Sequence, residues 1–351
     1  MNLYLHFPFC RRKCTYCALH SRAGQSVPAR ESYIARLASQ IADLRPQTPF
    51  STIYFGGGSP ALCELGPLSE ALKSLLGPDT EFTVELHPLD VTREKLEELK
   101  ALGVNRISMG VQSLDDDILS HMNRGYTFTE AERAFYLIKE HFDNAGIDLI
   151  VGYPGETAAL TPRHARLAKW GLRHCSVYSL ILEDGSLLAH QLKHPNTKTT
   201  QLLPDDDTVL DRLGIVGKFL ADIGLKRYEI SNYAVPGYEC RHNLATWRGE
   251  DYLGLGEGAA GRVGLTRTKG VRDEAGGIAY ETETVTPEYD RRERRLFRLR
   301  TRDGISPEGF PEWIPILEEH LKNGLLVKAE DRYRLTERGT EVCDSILADL
   351  I

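Results

Sequence analysis

No stretch of this 351-residue chain approaches the roughly 18–20 consecutive apolar residues that span a bilayer, which excludes a membrane-crossing helix. An excess of positive charge is also missing. The 43 Lys and Arg stand against 50 Asp and Glu, a net charge of −7, which disfavours nucleic acid and anionic membrane as partners. Met1-Asn2-Leu3-Tyr4-Leu5-His6 lacks the basic region and long apolar core of an export signal, so the expected location is cytoplasmic. There is no low-complexity tract, and 41% hydrophobic with 26% charged residues excludes disordered, collagen-like and coiled-coil classes. Seven cysteines, an odd number without an export signal, argue against a disulfide framework and for reduced thiols. Three of them, Cys10, Cys14 and Cys17, fall within eight residues.

What is present is an alternation of short apolar strands and amphipathic helices. Strands are expected at Leu3 to Phe7, Thr52 to Phe55, Phe82 to Leu86, Arg106 to Met109, Asp148 to Val151 and Ser176 to Leu182, with helical patterns between them. Such alternation means parallel strands with right-handed crossovers, in an open sheet or a full or partial barrel. Chemistry then gathers at the carboxyl ends of the strands, where Cys10, Gly56-Gly57-Gly58, Glu85, Gln112 and Gly152 fall. Residues 1–235 form this unit, 236–288 read as a loop-rich connection or irregular sheet, and 289–351 as a small accessory domain. Its helix, helix, strand pair, helix order is winged-helix-like. From Asp290 onward 12 Lys and Arg balance 13 Asp and Glu, so nucleic acid is not expected as its partner.

Cys10-Arg11-Arg12-Lys13-Cys14-Thr15-Tyr16-Cys17 places three thiols in one loop after a strand, spaced to converge on a metal centre. A structural zinc site needs four ligands and would have to recruit His6 or His20. A four-iron cluster can take three cysteines and leave one iron open. The C-x3-C-x2-C pattern with an aromatic before the last cysteine resembles the radical SAM proteins. That resemblance implies a [4Fe-4S] cluster on Cys10, Cys14 and Cys17 with S-adenosylmethionine at the open iron, and Tyr16 beside them. Gly57, Gly58 and Ser59 resemble the family's glycine-rich segment at the methionyl end of the cofactor. Glu85, Gln112, Arg124 and Asp148 match its polar strand-end contacts; their other reading is a salt-bridge network among themselves. The implied fold is α/β: a partial (βα)6 barrel of the radical SAM type with the C-terminal accessory domain.

Tyr4-Leu5-His6-Phe7-Pro8-Phe9-Cys10 narrows the resemblance to the oxygen-independent coproporphyrinogen III oxidase-like branch, in which Tyr4 would contact the cofactor. Tyr228 to Ala234, and Cys240-Arg241-His242-Asn243 to Trp247, are similar to its haem chaperone HemW subgroup. Leu19 stands where the oxidase has a fourth cysteine, and the oxidase's N-terminal extension has no counterpart. Thr246 and Ala18-Leu19-His20 depart from the chaperone pattern in turn. The resemblance implies binding of haem or another tetrapyrrole and its hand-over to acceptor proteins, with His242 as candidate axial ligand and Trp247 covering the macrocycle. An electron donor such as flavodoxin or ferredoxin would reduce the cluster. The alternatives are an oxygen-independent coproporphyrinogen III oxidase, another radical SAM tetrapyrrole enzyme or a methyltransferase.

Overall fold

The computed structural model describes all residues except 45, 47 and 194–201. Six strands, β1 (Asn2–Phe7), β2 (Thr52–Gly57), β3 (Glu81–Leu86), β4 (Arg106–Gln112), β5 (Ala145–Val151) and β6 (His174–Ser179), lie side by side in chain order, all parallel. Register decides what each face carries, because successive side chains point to opposite sides of a strand. Leu3, Leu5, Phe7, Ile53, Phe55, Phe82, Val84, Ile107, Met109 and Ile147 are fully buried in the core. The residues between them are polar or small, among them Tyr4, His6, Tyr54, Gly56, Thr83, Glu85, Arg106, Ser108, Gly110 and Asp148. These face the barrel interior.

The intervening helices follow from local signals. Thr127 and Glu130 form a capping box at the start of Phe128–His141, and the Thr92 side chain accepts from Lys95 N at the start of Arg93–Ala101. Trp170 is stacked against Phe128 and Phe135 from the first of these helices.

Among the described residues the sheet does not close on itself. Beside β6 runs Asn232–Ala234, antiparallel. Beside β1 runs Tyr252–Leu255, parallel, followed by Ala260–Val263, Thr266–Arg272 and Ile278–Thr284, each antiparallel to the last. Much of the stretch read as loop-rich is thus four strands that extend the barrel sheet. Its Gly and Thr content hid this: Gly261 and Gly270 sit where a side chain would strike Thr268 or the Gly256 carbonyl.

The C-terminal unit has its own core. Leu296, Leu299, Ile305, Phe310, Trp313, Leu317, Tyr333 and Ile346 pack together from helices Pro287–Arg298, Trp313–Lys322 and Cys343–Asp349, the connection between the first two, and the hairpin of Leu326–Ala329 with Arg332–Leu335. Arg262 on the extended sheet pairs with Asp290 and Glu293, tying this unit to the barrel. Trp313 is 1% exposed, stacks on Phe310 and donates to the Leu350 carbonyl at 2.9 Å. Trp313→Ala should cost roughly 3–5 kcal/mol in the unit that contains it. Urea unfolding followed by tryptophan fluorescence and circular dichroism measures this, with loss of the C-terminal signal ahead of the barrel.

Candidate functional site at the barrel mouth

The cysteine loop is built on the exit of β1. Phe9–Cys10 and Arg22–Ala23 pair as a two-stranded clasp that closes the loop on itself. Its outer side is tied to the loops after the later strands. Thr15 N donates to the Met122 carbonyl at 3.2 Å, Asn123 Nδ2 to the Lys13 carbonyl at 2.8 Å, and Leu188 N to the Thr15 carbonyl at 2.8 Å. Thr15 Oγ1 and the Tyr153 hydroxyl lie 2.8 Å apart. Cys10, Cys14 and Cys17 are all partly exposed, as ligands of an added group must be. Burial raises the thiol pKa values of Cys10 and Cys17. Arg124 Nη1 lies 3.2 Å from Cys14 Sγ. Among the described residues no three Cys, His, Asp or Glu side chains converge to hold a single ion. A mononuclear site makes that demand; a cluster does not, because its three thiolates end on three different irons.

The glycine segment lies against this loop. Gly58 N donates to the Phe7 carbonyl at 2.8 Å and Ser59 N to the Phe9 carbonyl at 2.7 Å. A Cβ on Gly58 would fall 2.4 Å from the Phe9 oxygen. Gly57 has φ +109°, and a Cβ there would strike the His6 ring. Both glycines therefore have an internal reason as well as the one inferred from the resemblance. Ser59 Oγ donates to Asp90, and the same carboxylate is paired with Arg11 of the cysteine loop. Asp90 and Arg11 are members of the site that motif matching did not find, since Asp90 lies in no motif and Arg11 is a variable position of the cysteine pattern.

Below the mouth lies a ring of polar side chains. Glu85 accepts from the Tyr54 hydroxyl at 2.8 Å and from Gly57 N at 3.1 Å. Desolvation, then Asp148 nearby, push its carboxyl up to about 7. Asp148 accepts from Ser108 Oγ at 3.1 Å and is also raised, mainly by burial. Tyr4 stacks on Tyr54, its hydroxyl 3.0 Å from His6 Nδ1. Gln112 adopts φ +68°, the left-handed region, at a register shift between β4 and β5. Its side chain and that of Arg124 share the space that Gly110 leaves empty. Arg124 Nη2 donates to the Gly110 carbonyl at 2.7 Å and Nε to the Tyr126 hydroxyl at 3.0 Å. Tyr16 packs with Met122, Tyr153 and Leu188 beside Cys14. Among the described residues, Glu85, Asp148 and Arg124 form no ion pair with one another or with any other residue, so the salt-bridge network is not what holds them there.

His242 lies elsewhere. It is in the first turn of helix Arg241–Trp247 rather than on a strand, and its Nδ1 is 2.7 Å from Thr52 Oγ1 at the start of β2. The Glu81 carboxylate accepts from Arg241 N and His242 N at 3.0 Å each, capping that helix under the barrel. His242 is 7% exposed, its ring lies against Tyr54, and burial lowers its pKa to about 4. Its ring centroid lies 5.0 Å from that of Tyr54 and 6.3 Å from that of Tyr4, against the floor of the polar ring. Trp247, five positions on, is on another face of the helix, because five residues are about 500° of turn. It packs on Phe297 and Arg300 of the C-terminal unit. His242 and Trp247 therefore face different neighbours, the first Tyr54 inside the barrel and the second Phe297 of the C-terminal unit.

The model of the Radical SAM superfamily matches residues 4–168. The haem chaperone HemW of Bacillus subtilis is 32% identical over 99% of this chain and 100% of its own length. HemW of Mycobacterium tuberculosis is 31% identical over 100% and 94%, and that of Escherichia coli 30% over 99% and 97%. Among solved structures, coproporphyrinogen III oxidase (HemN) from E. coli, a radical SAM enzyme, superposes with a TM-score of 0.80 at 21% identity, over 99% of this chain and 89% of that one. That likeness establishes the partial-barrel fold.

Two outcomes follow. A raised carboxyl pKa means that the folded state binds a proton more tightly than the unfolded one, so Glu85 costs stability as pH climbs from about 4.5 toward 7 and beyond. Glu85→Gln should raise the melting temperature of the cofactor-free protein at pH 8 and leave it nearly unchanged at pH 5, a difference on the order of 1–3 kcal/mol. Gly58→Ala should destabilise by roughly 1–3 kcal/mol through its clash with Phe9. It should also lower the iron retained after anaerobic reconstitution, measured by denaturant titration and iron assay.

Proposed function

The chain belongs to the radical SAM superfamily and, within it, to the HemW haem chaperone family, and we propose that it carries haem and hands it to acceptor proteins. Radical SAM membership brings a [4Fe-4S] cluster and S-adenosylmethionine. In this reading Cys10, Cys14 and Cys17 hold the cluster. Tyr4, Tyr16, Gly57, Gly58, Ser59, Glu85, Gln112, Arg124 and Asp148 surround S-adenosylmethionine, whose cleavage at a reduced cluster is the radical chemistry this cofactor supplies. The observation that carries the cofactor assignment is the mouth itself: two desolvated carboxylates and a buried guanidinium, unpaired with one another, beside three accessible thiols. Buried charges without counter-charges are costly, and a zwitterionic ligand offers partners to both signs.

Arg11, Arg12 and Lys13 are exposed on the cysteine loop and suit an acidic electron donor of the flavodoxin or ferredoxin kind. A cytoplasmic, reducing setting fits thiols that must stay free. The carrier reading over a coproporphyrinogen III oxidase rests on the full-length likeness to HemW proteins and on Leu19, a 55% exposed side chain that cannot ligate metal. Anaerobic reconstitution should load about four irons and four sulfides per chain, and Cys10→Ala, Cys14→Ala or Cys17→Ala should remove most of them. Haem added to the loaded protein should give a shifted Soret band and pass to an apo-acceptor. Turnover of coproporphyrinogen III with stoichiometric 5′-deoxyadenosine would favour the oxidase instead.

A further inference from the structure

The charges of the C-terminal unit balance in number but not in space. Four arginines, Arg248, Arg298, Arg332 and Arg334, and one carboxylate, Asp303, line a surface recess of 270 Å³. It lies where the end of helix Arg241–Trp247 meets the end of helix Pro287–Arg298 and the strand Arg332–Leu335. Three positive charges are thus in excess there, on a chain whose net charge is −7. Arg332 and Arg334 share the outer face of their strand, because Tyr333 between them is buried in the core. Of the four, Arg248 alone has an ion pair among the described residues, its Nε 2.8 Å from Asp303. Backbone carbonyls tether two of the others: Arg298 Nε donates to the Arg248 carbonyl at 3.0 Å and Arg332 Nη1 to the Gly304 carbonyl at 3.4 Å. The stem of Arg334 lies against Gly304. A neighbouring recess of 700 Å³ shares Arg248 and Arg298 but not the excess. There Arg292 is paired with Glu312 and Arg294 with Asp251 and Asp290, while Glu288 and Glu308 offset Arg291 and Arg295.

We propose that the smaller recess binds a phosphoryl oxyanion, as free phosphate or diphosphate or as the terminal phosphates of a nucleotide. Guanidinium groups gathered in one recess repel one another, and a bound anion removes that cost. Their planar forks pair with phosphate through two parallel hydrogen bonds each. A carboxylate brings one charge and two acceptor oxygens to this excess of three, whereas a phosphate group brings roughly 1.5–2 charges and three oxygens. The volume lies just under the roughly 300–1,000 Å³ of sites that enclose a drug-sized molecule, which suits a small, highly charged group. The backbone tethers hold the arginines before the ligand arrives, so less side-chain freedom is lost on binding. No cysteine and no residue of the barrel mouth takes part, and the site is independent of the haem-carrier reading.

Calorimetric titration of the full-length protein with diphosphate, at constant low ionic strength, tests the recess, with ATP and a single-stranded oligonucleotide as further probes. The expected dissociation constant for diphosphate is about 1 mM or below, weakened at least about tenfold in Arg332→Gln with Arg334→Gln. Both side chains are on the outer face of the hairpin, so the melting temperature of this variant should not fall. Arg291→Gln removes a charge beside the recess but outside it and should leave the affinity unaltered. Tighter binding of ATP than of diphosphate assigns the site to a nucleotide whose remainder lies in the larger recess, and equal binding assigns it to the free anion; the site stands in both cases. Absence of diphosphate binding in the wild-type protein, wild-type affinity in the double variant, or an equal loss in Arg291→Gln overturns it. An oligonucleotide that binds more tightly than diphosphate, and is lost in the double variant, overturns the small ligand in favour of nucleic acid.

Discussion

The functional end of this molecule depends on one close approach. The backbone amides of Gly58 and Ser59 donate to the carbonyls of Phe7 and Phe9, across a gap that has no room for a Cβ at residue 58. This contact fixes the direction in which the chain leaves β1 and hence where all three cysteines lie. It also brings Ser59 to Asp90 and Asp90 to Arg11, so that the cysteine loop, the glycine segment and the turn after β3 share one buried carboxylate. A metal-binding loop on a barrel would otherwise be as mobile as any long connection. Here its entry, middle and exit are each bonded to a different strand end.

The interior beneath that loop is polar, at a thermodynamic cost. Glu85 and Asp148 are held near each other in a desolvated space, and Arg124 is buried above them. A folded protein tolerates such an arrangement where the balance is supplied at the moment of binding, so the ligand-free barrel is less stable than its packing alone would make it. At the opposite end several polar groups are bonded internally, though Arg106 Nε and His174 Nδ1 are buried without a partner among the described residues. Glu81 caps the helix that carries His242, and Tyr228 accepts from Cys240 N while lying 2.8 Å from His174 Nε2.

Much of the barrel was legible because its signals are local. Strand and helix alternate with clear apolar periods, and the cysteine and glycine motifs follow strands β1 and β2 as parallel topology requires. The strands between Tyr252 and Thr284 were not legible, since Gly, Thr and Glu carry no apolar alternation when one face of a short edge sheet is solvated. Tyr54, two residues before Gly56, and Ser108 and Arg106, four and six before Gln112, were legible in principle, because period two along a strand points to the same interior. Asp90 and Arg11 were not, because their pairing joins residues 79 apart through a turn.

The sequence by itself determined the chemistry on offer, three thiols in one loop and polar residues at strand ends, because spacing along a strand or a tight loop is a property of the chain. Only the tertiary structure decided which of those groups meet. It joined Arg124 to Cys14 across 110 residues and left Glu85 and Asp148 without counter-ions. It also put His242 and Trp247, neighbours in one motif, on different faces of one helix, the first against Tyr54 and the second against Phe297. Distance in space between such residues follows from register, helix phase and the packing of separate elements, which no single segment encodes.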